Sequence, residues 1–88
     1  MEGRKNMEKT FLELVKKNIG YNVKGTITAR FDGNDNLIIT VITDRMYRWC
    51  KKGVRQNINT TLPHEIARLF KKDYERYILF QYFTPAKN

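Results

Sequence analysis

Apolar residues recur at helical spacing at the start of the chain. Phe11, Leu12, Leu14, Val15 and Ile19 share one face, with Met7 one turn earlier, and predict a helix over residues 4–19. Lys9, Glu13, Lys16 and Lys17 fall mostly off that face, and Glu13–Lys17 is a favourable i,i+4 pair. Gly20 is the expected stop, with Lys16 and Lys17 complementing the dipole of the last turn. The period then changes to two. Val23, Gly25, Ile27, Ala29 and Phe31 alternate with Lys24, Thr26, Thr28 and Arg30, which is strand patterning with one polar side. Asp32-Gly33-Asn34-Asp35-Asn36 is turn chemistry, and the β-branched run 37–43 is a second strand, so the pair reads as an antiparallel hairpin. Asp44-Arg45 turns the chain again, into a short third strand over 46–51. After a loop at 53–59, Thr60 or Thr61 caps a long helix with Pro63 in its first turn. Leu62, Ile66, Leu69, Phe70, Tyr74, Tyr77 and Phe80 line one face of it, and it runs to about Phe83 before Pro85.

The element order is helix, three strands, helix. The simplest arrangement is α+β: a three-stranded antiparallel sheet with the N- and C-terminal helices packed on one face. Lys24, Thr26, Thr28, Arg30, Ile38, Thr40 and Ile42 are expected on the other face. No repeat, low-complexity tract or linker divides residues 1–88, so one domain is expected, with 1–6 flexible, 84–88 a tail, and Met7 an alternative start.

Composition narrows the function. At 88 residues, 41% hydrophobic and 12% aromatic, there is enough apolar surface for one core and no room for a doubly wound dinucleotide domain. One Cys and one His exclude an intramolecular disulfide and a four-ligand zinc site built from them. No cofactor or metal is expected. No signal-peptide core or membrane-length apolar stretch occurs, which predicts a cytoplasmic protein with Cys50 reduced.

The formal net charge of +8 is unevenly placed. Residues 45–56 alone carry +5, from Arg45, Arg48, Lys51, Lys52 and Arg55, with no acid among them. Tyr47 and Trp49 interleave with these cations. That pattern suits nucleic acid, with cations on phosphates and rings stacking on unpaired bases. The same residues also read as a core Trp49, an edge Tyr47 and a charged edge strand that resists pairing.

Other chemistry is thin. Cys50 and His64 are the one thiolate–imidazole combination, but no orienting partner or oxyanion donor lies near either in sequence, so no enzyme is expected. Asp32, Asn34 and Asn36 have the one-three-five spacing of a calcium loop, yet Leu37 replaces its glycine and Thr43 its bidentate glutamate. No glycine-rich phosphate loop precedes a helix. The stretch 77–83 is apolar nearly all round its helix, so Ile78, Leu79, Tyr82 and Phe83 are candidates for a protein contact or a homodimer seam. Packing of the first helix against that side is the alternative.

The order of elements with a basic edge resembles a double-stranded RNA-binding domain. That family carries a Lys-Lys cluster at the start of its last helix, whereas here Lys51-Lys52 precede a loop and the helix opens Thr61-Leu62-Pro63-His64-Glu65. The helix Phe11-Leu12-Glu13-Leu14-Val15-Lys16-Lys17-Asn18, the hairpin around Asp32-Gly33-Asn34-Asp35 and the Tyr/Phe/Lys-rich last helix resemble early and accessory proteins of Gram-positive phages and mobile elements. Some of those are anti-CRISPR proteins. Their acidic DNA-mimic members differ from this chain in sign of charge. The resemblance implies a small non-enzymatic binding protein of the bacterial cytoplasm. The expected partner is nucleic acid or a nucleoprotein, bound through Arg45, Tyr47, Arg48, Trp49, Lys51, Lys52 and Arg55. The alternative is an inhibitor of a host or defence enzyme acting by protein–protein contact, for instance against an acidic protein surface.

Overall fold

A computed structural model describes residues 2–19, 24–57 and 61–83, and the side chains of its terminal helices from residue 7 and up to residue 80. The elements are α1 (Glu2–Ile19), β1 (Thr26–Phe31), β2 (Leu37–Ile42), β3 (Met46–Lys51), a 3-10 turn (Arg55–Asn57) and α2 (Leu62–Phe83). The α+β order expected from the sequence is the observed one. Helix α1 starts two residues earlier than its apolar stripe suggests. The Gly20 stop, Val23, the Thr60 cap and the tail over 84–88 lie outside the described residues.

The strands form an antiparallel sheet in the order β1-β2-β3. Its register sorts every strand residue into one of two faces. On one face the cross-strand rows are Ile27–Val41–Tyr47, Ala29–Ile39–Trp49 and Phe31–Leu37–Lys51. Leu37, Ile39 and Val41 are essentially fully buried there. Both helices cover this face. Phe11 of α1 meets Phe31 edge-on at 6.1 Å between ring centroids. Phe70 of α2 meets Trp49 edge-on at 5.5 Å and Tyr47 at 6.1 Å. Burying one such large side chain contributes about 2–3 kcal/mol, so Phe11 and Phe70 anchor their helices. Val15, Ile66, Ala67, Val54 and Tyr74 complete the core.

Two parts of the expected helix faces are corrected. The helical stripe predicts Leu69 and Phe80 against the core, but Leu69 is exposed and Phe80 is 61% exposed. Ala67 is fully buried instead, and Ile78 packs against the core. Leu69 lies over the sheet between buried Ala67 and Phe70 but on the outer side of α2, whereas Phe80 lies beyond the six-residue β3 along which the 22-residue α2 packs. Leu12 of α1 is half-buried and outside the core cluster.

The connections are polar and internally bonded. In the β1–β2 loop the Asp32 carboxylate accepts from the backbone N–H groups of Asn34 (2.8 Å) and Asn36 (3.0 Å) and from the Asn36 amide. These bonds hold the Asp32 carboxyl below its usual range, the Asn36 N–H contributing most and the Asn34 N–H next. The calcium-like spacing therefore serves a turn, in which Asp32 Oδ1 has backbone donors. The loop also positions the segment after β3. Asn36 Oδ1 accepts from the Gly53 N–H, and the Asp35 carbonyl accepts from the Arg55 N–H. Gly53 sits at φ +66°, where L side chains are disfavoured. Gly25 enters β1 at φ +155°, and a Cβ there would collide with the Ile42 carbonyl oxygen. The two edges differ. The outward Phe31 N–H of β1 donates to Glu8 Oε2 of α1 at 2.7 Å. Among the described residues the backbone of β3 makes no hydrogen bond outside the sheet.

Candidate functional site

The basic segment becomes strand β3, the two turns that flank it and the 3-10 turn beyond. Arg45 lies in the β2–β3 turn, Arg48 in mid-strand, Lys51 and Lys52 at the far end, and Arg55 in the 3-10 turn. At about 3.3 Å per residue, Arg45 and Lys51 are roughly 20 Å apart along the strand. The sequence cluster is thus a stripe along an edge strand rather than a point. Arg45, Arg48, Lys51 and Lys52 are exposed, and Arg55 is half-buried. Arg48, Lys51 and Lys52 hold no ion pair among the described residues.

Arg48 belongs to the sheet face opposite the helices. The rows there are Thr26–Ile42–Met46, Thr28–Thr40–Arg48 and Arg30–Ile38–Cys50. These rows carry two arginines and no acid. Ile38 is buried even so, with Arg30 and Cys50 as its cross-strand neighbours. Cys50 is exposed on this open side, and His64 lies in the first turn of α2, the helix packed on the other side of the sheet.

Of the two readings of Trp49, the structure shows the core one. Strand alternation turns Tyr47 and Trp49 inward, opposite Arg48. Trp49 is buried, and its Nε1–H donates to Asp73 Oδ2 of α2 at 2.8 Å. It is a core residue and offers no free face to a base. Tyr47 is half-buried, with its ring 4.6 Å from Tyr77 and 5.5 Å from Tyr74.

Tyr47, Tyr74 and Tyr77 form the wall of a cleft of about 260 Å³ at the β2–β3 turn. Val41 and Ile78 supply its apolar surface, and Thr43, Asp44 and Arg45 stand on the turn side. Asp44 accepts from the Thr43 hydroxyl at 3.1 Å. Burial raises the Tyr47 hydroxyl above its usual pKa, with the Asp73 carboxylate and Tyr77 adding, and burial with Tyr77 raises Tyr74. Both phenols are therefore neutral at physiological pH. The contribution of Tyr74 and Tyr77 escapes a sequence reading, since at helical spacing they look like ordinary core.

Of the apolar contact candidates, Ile78 is partly buried against the core and Leu79 is 53% exposed. Tyr82 and Phe83 lie outside the residues whose side chains are described. Among the described residues, Phe80, beside Leu79, is an exposed aromatic near that helix end. No helix among the described residues is long and apolar enough to cross a membrane. Compared with known proteins, the chain matches no family model, no curated protein and no solved structure.

Proposed function

We propose that this chain is a small non-enzymatic accessory protein, of phage or mobile-element type, that binds nucleic acid or a nucleoprotein in the bacterial cytoplasm through the β3 edge. One observation carries the reading: four acids of the described structure bond to groups other than the cations of 45–55, while Arg45, Arg48, Lys51 and Lys52 are exposed. Glu8 bonds β1, Asp32 its own loop, Asp73 the Trp49 indole, and Glu75 pairs with Lys71 at 3.9 Å. The β3 stripe has no such internal use for Arg48, Lys51 and Lys52. A polyanion would gain phosphate contacts there without breaking any pair those three hold.

The test is binding of labelled oligonucleotides at two salt concentrations. Each neutralised phosphate adds about −0.7 (single strand) to −0.9 (duplex) to the slope of log K against log salt. With four exposed cations engaged, affinity falls roughly 50- to 150-fold between about 50 and 200 mM salt. Replacing Arg48 and Lys51 by Ala together lowers the slope by about 1.4 to 1.8. Absence of binding at low salt overturns the proposal.

A second reading rests on Leu79 and Phe80, neighbouring exposed apolar side chains near the end of α2. Such a pair suits contact with a protein, as in an inhibitor of a host or defence enzyme. A stoichiometric partner that survives nuclease and is lost with Phe80→Ser supports it. Nuclease-sensitive recovery supports nucleic acid.

A further inference from the structure

We infer that the tyrosine cleft at the β2–β3 turn takes one unpaired nucleobase, which makes the preferred ligand of the β3 edge a single strand rather than a duplex. This rests on the nucleic-acid reading above and specifies its substrate class. The cleft meets the cationic stripe at Arg45, which belongs to both. It is bounded by aromatic rings from two elements, Tyr47 from β3 and Tyr74 and Tyr77 from α2. About 260 Å³ lies below the usual span for a drug-sized ligand, and suits a single planar ring system. A paired base enters such a cleft only after unpairing and unstacking, a cost that disfavours a duplex. An unpaired base can swing out while its phosphates remain on the stripe.

The polar groups fit the same picture. Arg45 lines the cleft, so the backbone of a bound strand has a cation next to the inserted base, and Lys51 lies farther along β3 on the same face as Tyr47. Asp44 places negative charge at the turn, which steers phosphates along β3 and away from the tip of the turn. Neutral phenols at Tyr47 and Tyr74 leave Asp44 as the acid among the residues that line the cleft.

The experiment measures the full chain against a short single strand, the same strand with abasic sites, and the matching duplex. The abasic strand keeps every phosphate and lacks the rings. The intact single strand is expected to bind roughly 5- to 150-fold more tightly than the abasic one, the range for one base stacked on aromatic side chains. Tyr77→Ala removes most of that difference and Tyr77→Phe retains it, with each variant's fold checked by circular dichroism. Equal, salt-dependent binding of all three ligands overturns the cleft and leaves the nucleic-acid reading standing. A base-dependent advantage that survives Tyr77→Ala also overturns this site. No binding of any ligand at low salt overturns both.

Discussion

Trp49 is the residue at which core and binding surface are most easily confused, and Trp49→Phe separates them. Phe keeps a ring against Phe70 but removes the indole N–H. Asp73 then retains a half-buried carboxylate with no donor among the described residues. A hydrogen bond to a charged group contributes about 1.5–3 kcal/mol. The smaller ring forfeits roughly another 1 kcal/mol of burial and packing. The expected loss is about 2.5–4 kcal/mol, which at ~4–8 °C per kcal/mol lowers Tm by roughly 10–30 °C. A domain of this size has a total stability of order 4–13 kcal/mol, so the variant remains foldable in the cold. Urea unfolding followed by circular dichroism measures the loss without relying on the removed fluorophore. A cycle with Asp73→Ala isolates the contact, and its coupling is expected to exceed about 1 kcal/mol. Coupling below ~0.5 kcal/mol refutes the contribution assigned to the hydrogen bond. Below its melting temperature, Trp49→Phe should keep nucleic-acid affinity within about twofold, because a buried ring stacks on no base. A specific drop in affinity by the folded variant refutes the inward assignment of Trp49.

Gly25→Ala combines an unfavourable φ with a clash on the Ile42 carbonyl and is expected to cost at least about 2 kcal/mol in urea unfolding. Gly33→Ala, which meets nothing within 4 Å, should stay within about 1 kcal/mol of the wild type. The pH dependence has two limbs. Asp32 titrates lower folded than unfolded, so its contribution is present above about pH 4 and is lost as the pH falls through the folded value. Asp32→Asn should flatten that acid limb. Tyr47 and Tyr74 titrate higher folded than unfolded, so their contribution is present below about pH 10 and is lost as the pH rises through the folded values. Replacing Tyr74 with Phe should flatten the alkaline limb in a thermal-melt series. Leu79→Ser and Phe80→Ser should each change stability by no more than about 0.5 kcal/mol, since both side chains are largely exposed. If a second copy docks on that helix end, light scattering at high concentration reports a dimer that Phe80→Ser dissolves, and a monomeric wild type removes the homodimer.

Local chemistry alone determined the element order. The 3.6 and 2 periodicities, the Asp-Gly-Asn-Asp-Asn turn and the Pro63 helix start are short-range signals, and they placed α1, the three strands and α2 within a few residues. Alternation likewise placed Arg48 on the face opposite Tyr47 and Trp49, and it assigned Thr26, Thr28, Arg30, Thr40 and Ile42 to the open side. Three things needed the tertiary structure. Whether Trp49 faced base or core depended on Asp73, 24 positions away, supplying an acceptor for its N–H. Whether Leu69 was covered depended on the rotation of α2 about its axis, and whether Phe80 was covered depended on how far β3 extends beneath α2; no helical stripe encodes either. The cleft depended on a turn in one hairpin meeting two tyrosines of a distant helix. A run of charge and aromaticity specifies which groups are present, but only the packing of β3 against α2 decides which of them water, or a ligand, can reach.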